Sequence, residues 1–339
     1  MTLAYIWYSV VVLAMICYAM LDGFDLGVGL LHPFAKSDKE RRIFLNSIGP
    51  VWDGNEVWLV IVGGTLFAGF PEVFGTLFSA FYIPTMILLM GLMYRAVSIE
   101  FRSKQPSKRW RSTWDYIFAS GSFVIAFGVG VLLANLIDGI PLDENHNFVG
   151  NFWTFVQPYD LLVGVMTVTL FTMHGAIYLV MKTEGELHDR IRSWVPRTIA
   201  FFLILYIMVT LITLYRKPYM MINMTAYPVL FVIPLGTLVS ILFVPYLMKK
   251  QLDGWAFLAS CLSIAFLICL VAVGTFPSIV RSSINPSANS LLIANSASSP
   301  LTLKVLLVIV AVGVPLVFAY GFYIYRVFRG KVKLDATSY

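Results

Sequence analysis

Gly49-Pro50-Val51-Trp52-Asp53-Gly54-Asn55-Glu56-Val57-Trp58, continued by Leu59 to Phe70, decides how the chain is read. The stretch sets two carboxylates, an amide and two indoles at the head of an otherwise lipid-compatible segment. From Pro50 to Phe70 it is long enough to cross a bilayer core of ~30 Å at ~1.5 Å per residue. Pro50 suits a first helical turn, where a missing N–H costs nothing. Asp53 and Glu56, three apart, share a helix face. Acids within a membrane segment are costly and need a partner or a water-filled path. This segment therefore handles a charge or a proton.

The rest of the chain fits that setting. Of its 339 residues, 59% are hydrophobic and 12% charged, a membrane composition. The apolar run after Met1 is too long for a signal-peptide core and lacks a basic leader, so no cleaved signal is expected. Cys17, Cys261 and Cys269 all sit in apolar runs with no metal or haem-attachment spacing. They read as small packing residues, and covalent haem and zinc are unsupported. The net charge of +6 lies in the loops, a sign of membrane topology and not of nucleic-acid binding.

Nine spans are expected in a single transmembrane domain covering 1–339, at about 3–31, 50–70, 74–100, 113–136, 155–181, 197–215, 227–248, 254–277 and 302–326. Alternate loops and the C-terminal tail hold 19 of the 24 basic residues, among them Arg41, Arg42, Arg102, Arg111, Arg190 and Arg329. The opposite loops hold Arg216, Lys217, Arg281 and Lys304, and Arg95 lies inside a span. This asymmetry places the N-terminus outside and the C-terminus in the cytoplasm, which requires an odd number of spans. The outer loop from Asp138 to Asn151 is acidic, and the one from Ser278 to Thr302 is rich in Ser, Asn and Pro and reads as an irregular connection. Glu184 to Arg190 reads as a capped, solvated loop or short helix. Asp25-Leu26-Gly27-Val28-Gly29 and Asp160-Leu161-Leu162-Val163-Gly164 look alike but fall at opposite faces, and no internal repeat emerges.

Topology alone then gathers a polar constellation. The first span runs inward and ends Leu21-Asp22-Gly23-Phe24-Asp25-Leu26-Gly27-Val28-Gly29, with Asp22 and Asp25 on one face in its cytoplasmic half. The second starts at the cytoplasmic face, with Asp53 roughly one turn in and Glu56 about two. Arg95 lies about one to two turns before the cytoplasmic end of the third. Four acids and one arginine share a depth. One reading is a structural ion-pair knot locking three helices. The excess of acid over Arg95 favours a second for Asp53 and Glu56, a proton path or a contact with another chain. Asp53 also suits a helix N-terminus as an anion.

Trp52 reads as an interfacial anchor, and Trp58, deeper, as a packing or subunit-contact residue. Of His32, His146, His174 and His188, only His174 lies well within a span. It reads as a hydrogen-bonded bundle histidine and not as an axial haem ligand. No redox-metal spacing appears elsewhere.

At these motifs the chain resembles subunit II of the cytochrome bd-type quinol oxidases. The resemblance rests on Asp22-Gly23-Phe24-Asp25-Leu26-Gly27-Val28-Gly29, Glu40-Arg41-Arg42, Asn46-Ser47-Ile48-Gly49-Pro50 and Trp52-Asp53-Gly54-Asn55-Glu56-Val57-Trp58. Gly63-Gly64, Phe78-Ser79-Ala80-Phe81-Tyr82, Arg95, Glu100-Phe101-Arg102, Trp110-Arg111, Trp114-Asp115, Gly150-Asn151-Phe152 and Gly185-Glu186-Leu187-His188 add to it. They cover the N-terminal half densely and the remainder thinly. The resemblance implies an all-α polytopic fold of two four-helix bundles plus one peripheral helix, in a prokaryotic cell membrane. It implies a haem-bearing subunit I as partner, holding haems b and d and the quinol site, with small accessory membrane subunits as further partners. This chain would hold no catalytic residue and no cofactor. It would support haem assembly and contribute proton and oxygen access, with Asp53 as the foremost proton-path candidate. Glu56, Asp22, Asp25 and Arg95 belong to the same path or interface, and Trp58 to an oxygen route or the subunit interface. The chain is shorter than better-known members, and His174 stands where some carry glutamine.

A stand-alone proton- or ion-coupled transporter is the competing reading. It predicts an internal repeat and broken helices in both halves, whereas the acids cluster in the first three spans.

Overall fold

The computed structural model describes residues 1–334. Thirteen α-helices follow one another among the described residues: α1 Thr2–Leu31, α2 Asp38–Ile48, α3 Trp52–Gly69, α4 Pro71–Ala80, α5 Tyr82–Phe101, α6 Lys108–Asp138, α7 Pro158–Lys182, α8 Gly185–Arg216, α9 Ile222–Ala226, α10 Val232–Lys249, α11 Asp253–Thr275, α12 Pro286–Asn289 and α13 Pro300–Val327. A two-stranded antiparallel sheet pairs β1, Ser278–Val280, with β2, Leu291–Leu292. Local chemistry sets the starts. Pro71, Pro158 and Pro300 open α4, α7 and α13. The Ser37 hydroxyl caps α2 by accepting from the Glu40 amide at 3.2 Å.

Among the described residues, eight helical segments are long and apolar enough to cross a membrane. Each overlaps one of the expected spans, and the second expected span has no counterpart among them. That one, α3, is a helix of 18 residues, but Asp53, Asn55 and Glu56 in its first turns dilute its apolar run. Two boundaries differ from expectation. The third span is broken at Phe81 into α4 and α5, with Pro84 in the first turn of α5. The sixth begins at Gly185, so the charged segment after α7 is the start of α8, with Pro196 carried inside the helix.

Helix α1 is the axis of the fold, packing against α3, α6, α7, α11 and α13. Every residue from Asp22 to Gly29 in it is buried. Glycine makes the α1–α7 crossing close: a Cβ on Gly27 would lie 2.8 Å from the Gly175 Cα. At the end of the bundle where α6 stops and α13 starts, Ile140 bridges to Ser282, and the Ser298 amide donates to Gly69 O at 2.8 Å. The two long loops after α6 and α11 are thus joined into one cap. Helix α13 is the least embedded of the long helices, with Leu303 its one buried residue.

Candidate functional site

Three helices bring the intramembrane charges together. The spacing of Asp22 and Asp25 turns both towards α3 and α5. Arg95 reaches across from α5, its Nη2 2.8 Å from Asp22 Oδ1 and 3.9 Å from Asp25 Oδ2, and its Nη1 3.0 Å from Glu56 Oε2. The side chains of Arg95, Asp22 and Asp25 are fully buried, and that of Glu56 is 22% exposed. The Asn55 Nδ2 donates to Asp25 Oδ2 at 2.7 Å, and the Tyr325 hydroxyl donates to Asn55 Oδ1 at 2.8 Å. One guanidinium thus faces three carboxylates. Asp25 Oδ1, both Asp22 oxygens and the Tyr18 hydroxyl have no aligned hydrogen-bond partner among the described residues.

Of the expected site residues, Asp22, Asp25, Glu56 and Arg95 meet within this cluster. Asp53 does not. It is exposed and makes no hydrogen bond or ion pair among the described residues. Its side chain belongs to an outward stripe of α3 with Val57, Val60, Gly64 and Phe67, all exposed. Sharing a helix face was not enough to bring Asp53 inside: the i, i+3 offset turns Glu56 towards Arg95 and leaves Asp53 beyond the contact. Trp58 is 5% exposed. It packs with Ala14, Cys17 and Tyr18 and lies 5.5 Å from the Phe318 ring of α13. Trp52 is half-buried against the core.

Two features were missed from sequence. Asn55 stood in the quoted motif without a role, and Tyr325 lay at the end of the last span with no signal to single it out. The second is a charge network where the end of α1, α2, the end of α5 and the start of α6 converge. Asp115 receives His32 Nε2 at 2.5 Å, Arg41 Nη1 at 3.0 Å and Arg102 Nε at 2.6 Å. Arg102 also reaches Asp38 at 2.8 Å, as does Arg111 at 3.0 Å. Arg41, Arg102 and Arg111, read above as topological loop charges, are also structural: they tie α2, α5 and α6 to the end of α1.

His174 is fully buried. Its Nε2 lies 2.9 Å from Met20 O and its Nδ1 2.7 Å from Ser260 Oγ, and its ring stacks on Phe257 at 4.8 Å. With Nε2–H donating to the carbonyl, Nδ1 accepts from the serine. Both ring nitrogens are engaged, so the site does not fit an axial haem ligand. Among the described residues no group of three or more His, Cys, Asp and Glu is placed to hold a metal ion.

An apolar cleft of about 1110 Å³ lies between α1, α3, α5, α6, α7, α8 and α11, open to the surface beside Val60 and Phe67 and lined by Tyr18, Leu59, Leu92, Phe127, Phe171 and Tyr206 among others. Tyr18 joins its wall to the acid cluster.

Helices of this length and apolarity, gathered round buried carboxylates and one arginine, define a polytopic α-helical membrane protein with an intramembrane ionisable centre. Residues 3–328 match the family described as cytochrome bd terminal oxidase subunit II, and the chain belongs to that family. Cytochrome bd-I ubiquinol oxidase subunit 2 of Escherichia coli K12 is 34% identical over 367 aligned residues, covering 98% of this chain and 96% of its own. Cytochrome bd ubiquinol oxidase subunit 2 of Bacillus subtilis is 32% identical over 331 residues, covering 97% and 96%. The solved bd oxidase of Geobacillus thermodenitrificans shares the fold, with a TM-score of 0.80 at 18% identity over 97% of this chain and 99% of that one. The resemblance read from the Asp-Gly-Phe-Asp and Trp-Asp-Gly-Asn motifs is therefore correct, and the chain is a subunit of an oxidoreductase complex of the bacterial inner membrane.

Proposed function

We propose that this chain is the non-haem subunit II of a bd-type quinol:oxygen oxidoreductase, and that its buried acid cluster carries protons from the cytoplasm towards a haem-bearing subunit I. Haems b and d and the quinol site lie on that partner, and this chain supports their assembly. The observation that carries the reading is the imbalance at Arg95. One guanidinium compensates at most part of three carboxylates, and buried carboxylate oxygens short of aligned donors are where water or a transferred proton is held. Reduction of oxygen to water consumes protons, and drawing them from the cytoplasm builds a gradient. In this account Asp53 collects protons at the surface of α3 and Glu56, the half-exposed member, passes them to Asp22 and Asp25.

The proposed membrane arrangement has nine crossings in one transmembrane domain, N-terminus outside and C-terminus in the cytoplasm. Counting α3 as the second crossing, and α4 with α5 as the third, gives two four-helix bundles with α13 peripheral. The outward stripe of α3 is the proposed contact with subunit I, because an exposed carboxylate at the head of an apolar face is costly against lipid. The apolar cleft is the proposed store for oxygen, an apolar solute. Trp58 braces its wall from behind through Tyr18 and Leu59. Quinol and oxygen are substrates of the complex, and lipid and small accessory subunits complete its surroundings.

Purification in mild detergent followed by an absorption spectrum tests the assignment. Co-purification of a haem-bearing chain in equal amount is expected. A colourless monomer with ion-dependent uptake in vesicles would instead favour the transporter.

A further inference from the structure

We infer that Tyr325, acting through Asn55, is the positioning residue that holds the Asp25 carboxyl in its working orientation. The inference rests on the reading of the acid cluster as a proton path. It starts from an oddity of α13: the helix buries little of itself, yet one of its side chains reaches a cluster whose Asp22, Asp25 and Arg95 are fully buried. The Tyr325 hydroxyl donates to Asn55 Oδ1 at 2.8 Å, and Asn55 Nδ2 donates to Asp25 Oδ2 at 2.7 Å. Asp25 shares these surroundings with Asp22, Glu56, Arg95 and Tyr178.

An asparagine side chain has one accepting and one donating end, and it can rotate to exchange them. Asn55 is 3% exposed, so water cannot freely compensate whichever end is left unmatched. Tyr325 fixes the choice. Its O–H matches the amide oxygen, and the amide N–H groups are then directed at Asp25 and, at 3.4 Å, at Leu21 O. Without the hydroxyl the buried oxygen loses its donor and the amide is free to turn its oxygen to the carboxyl.

The end of α13 is built to hold Tyr325 in place. The Phe318 ring rests on Trp58. Beyond the helix, Lys182 Nζ donates to Phe328 O at 2.7 Å, the Val332 amide donates to Lys182 O at 2.9 Å, and Lys331 Nζ donates to Val180 O at 3.0 Å. The chain after α13 is thereby tied to the cytoplasmic end of α7. These ties fix the height and rotation of a helix that packing alone would leave loose.

The test uses the purified oxidase complex with full haem content. Tyr325→Phe keeps the ring and removes the hydroxyl. Infrared difference spectra, with the Asp25 carboxyl band identified by its loss in Asp25→Asn, read the hydrogen bonding of Asp25 directly. We expect the band to move towards weaker hydrogen bonding in Tyr325→Phe. Turnover per haem should fall about 2- to 10-fold, the loss of one hydrogen bond. Asn55→Leu should move the band in the same sense, and adding Tyr325→Phe to it should move it no further. If Asp25→Asn does not assemble, the wild-type minus Tyr325→Phe difference still reads the shift, since the substitution adds no carboxyl. An unchanged Asp25 band in an assembled Tyr325→Phe complex overturns the inference. A moved band with normal turnover in both Tyr325→Phe and Asp25→Asn upholds the positioning role and removes the proton path.

Discussion

Arg95 of α5 and Asp22 of α1 approach to 2.8 Å with both side chains fully withdrawn from solvent. A guanidinium in that position lies within ion-pair distance of Asp22, Asp25 and Glu56 at once, a geometry that a point charge on a flexible stem does not reproduce. Removing it leaves several carboxyl groups without a counter-charge. Arg95→Leu should therefore destabilise the chain by about 3–5 kcal/mol, read as lost assembly or a lowered melting temperature. Arg95→Lys should lie between that variant and the wild type. A wild-type melting temperature for Arg95→Leu would show that the acids are already neutral.

His174 is a packing and hydrogen-bonding residue in this account. His174→Ala should leave the haem absorption spectrum of the assembled complex unchanged. It should cost about 1–3 kcal/mol, because Met20 O and Ser260 lose a buried partner. Loss of one haem signal with assembly intact would contradict the assignment.

Glu40 offers a pH test outside the membrane. Burial pushes its carboxyl up, but the hydrogen bond from Arg190 and the Lys36 backbone amide outweigh it and hold it below the ordinary 4.5. A depressed carboxyl adds stability above its unfolded value and loses it as the pH falls through the folded one. Glu40→Gln should thus lower the melting temperature slightly at neutral pH, by ~1 kcal/mol or less for a half-exposed pair. The difference should shrink as the pH falls below 4.5 and vanish once it passes under the lowered folded value. A difference that grows with acidification would contradict the ion pair's role.

The basic-loop asymmetry predicts sidedness. Ser283, exposed in the outer cap, should be labelled from outside once changed to cysteine. Ser338 lies outside the described residues; a cysteine there should be labelled only from the cytoplasm. Equal labelling of both from outside would reverse the topology.

Much of this was legible in the sequence because membrane solvation is severe. Length and apolarity marked the helices. Placing Asp22, Asp25, Glu56 and Arg95 at one depth needed nothing more. Depth does not give rotation, however. Asp53 was grouped with the others on helical spacing, but the packing of α3 on α1 turns Glu56 inward and leaves Asp53 on the surface. Tyr325 was illegible because its partner lies 270 residues away, and local pattern carries no such information. The Asp115 network was hidden for another reason: Arg102 and Arg111 counted first as topological charges, and burial of Arg102 to 1% exposure follows only from how the helix ends converge. The break at Phe81 was missed because the apolar run continues through it.

The central claim is that the acids at the head of α3 and the end of α1 deliver protons from the cytoplasm. Asp53→Asn tests it most directly, since it keeps shape and removes a titratable group on which no contact within this chain depends. The measurement is turnover per haem of the purified complex across a pH series. The account predicts normal assembly and haem content with slowed turnover, most marked at high pH where protons are scarce. Turnover per haem equal to wild type across the whole pH range would contradict it and leave the cluster as a structural knot.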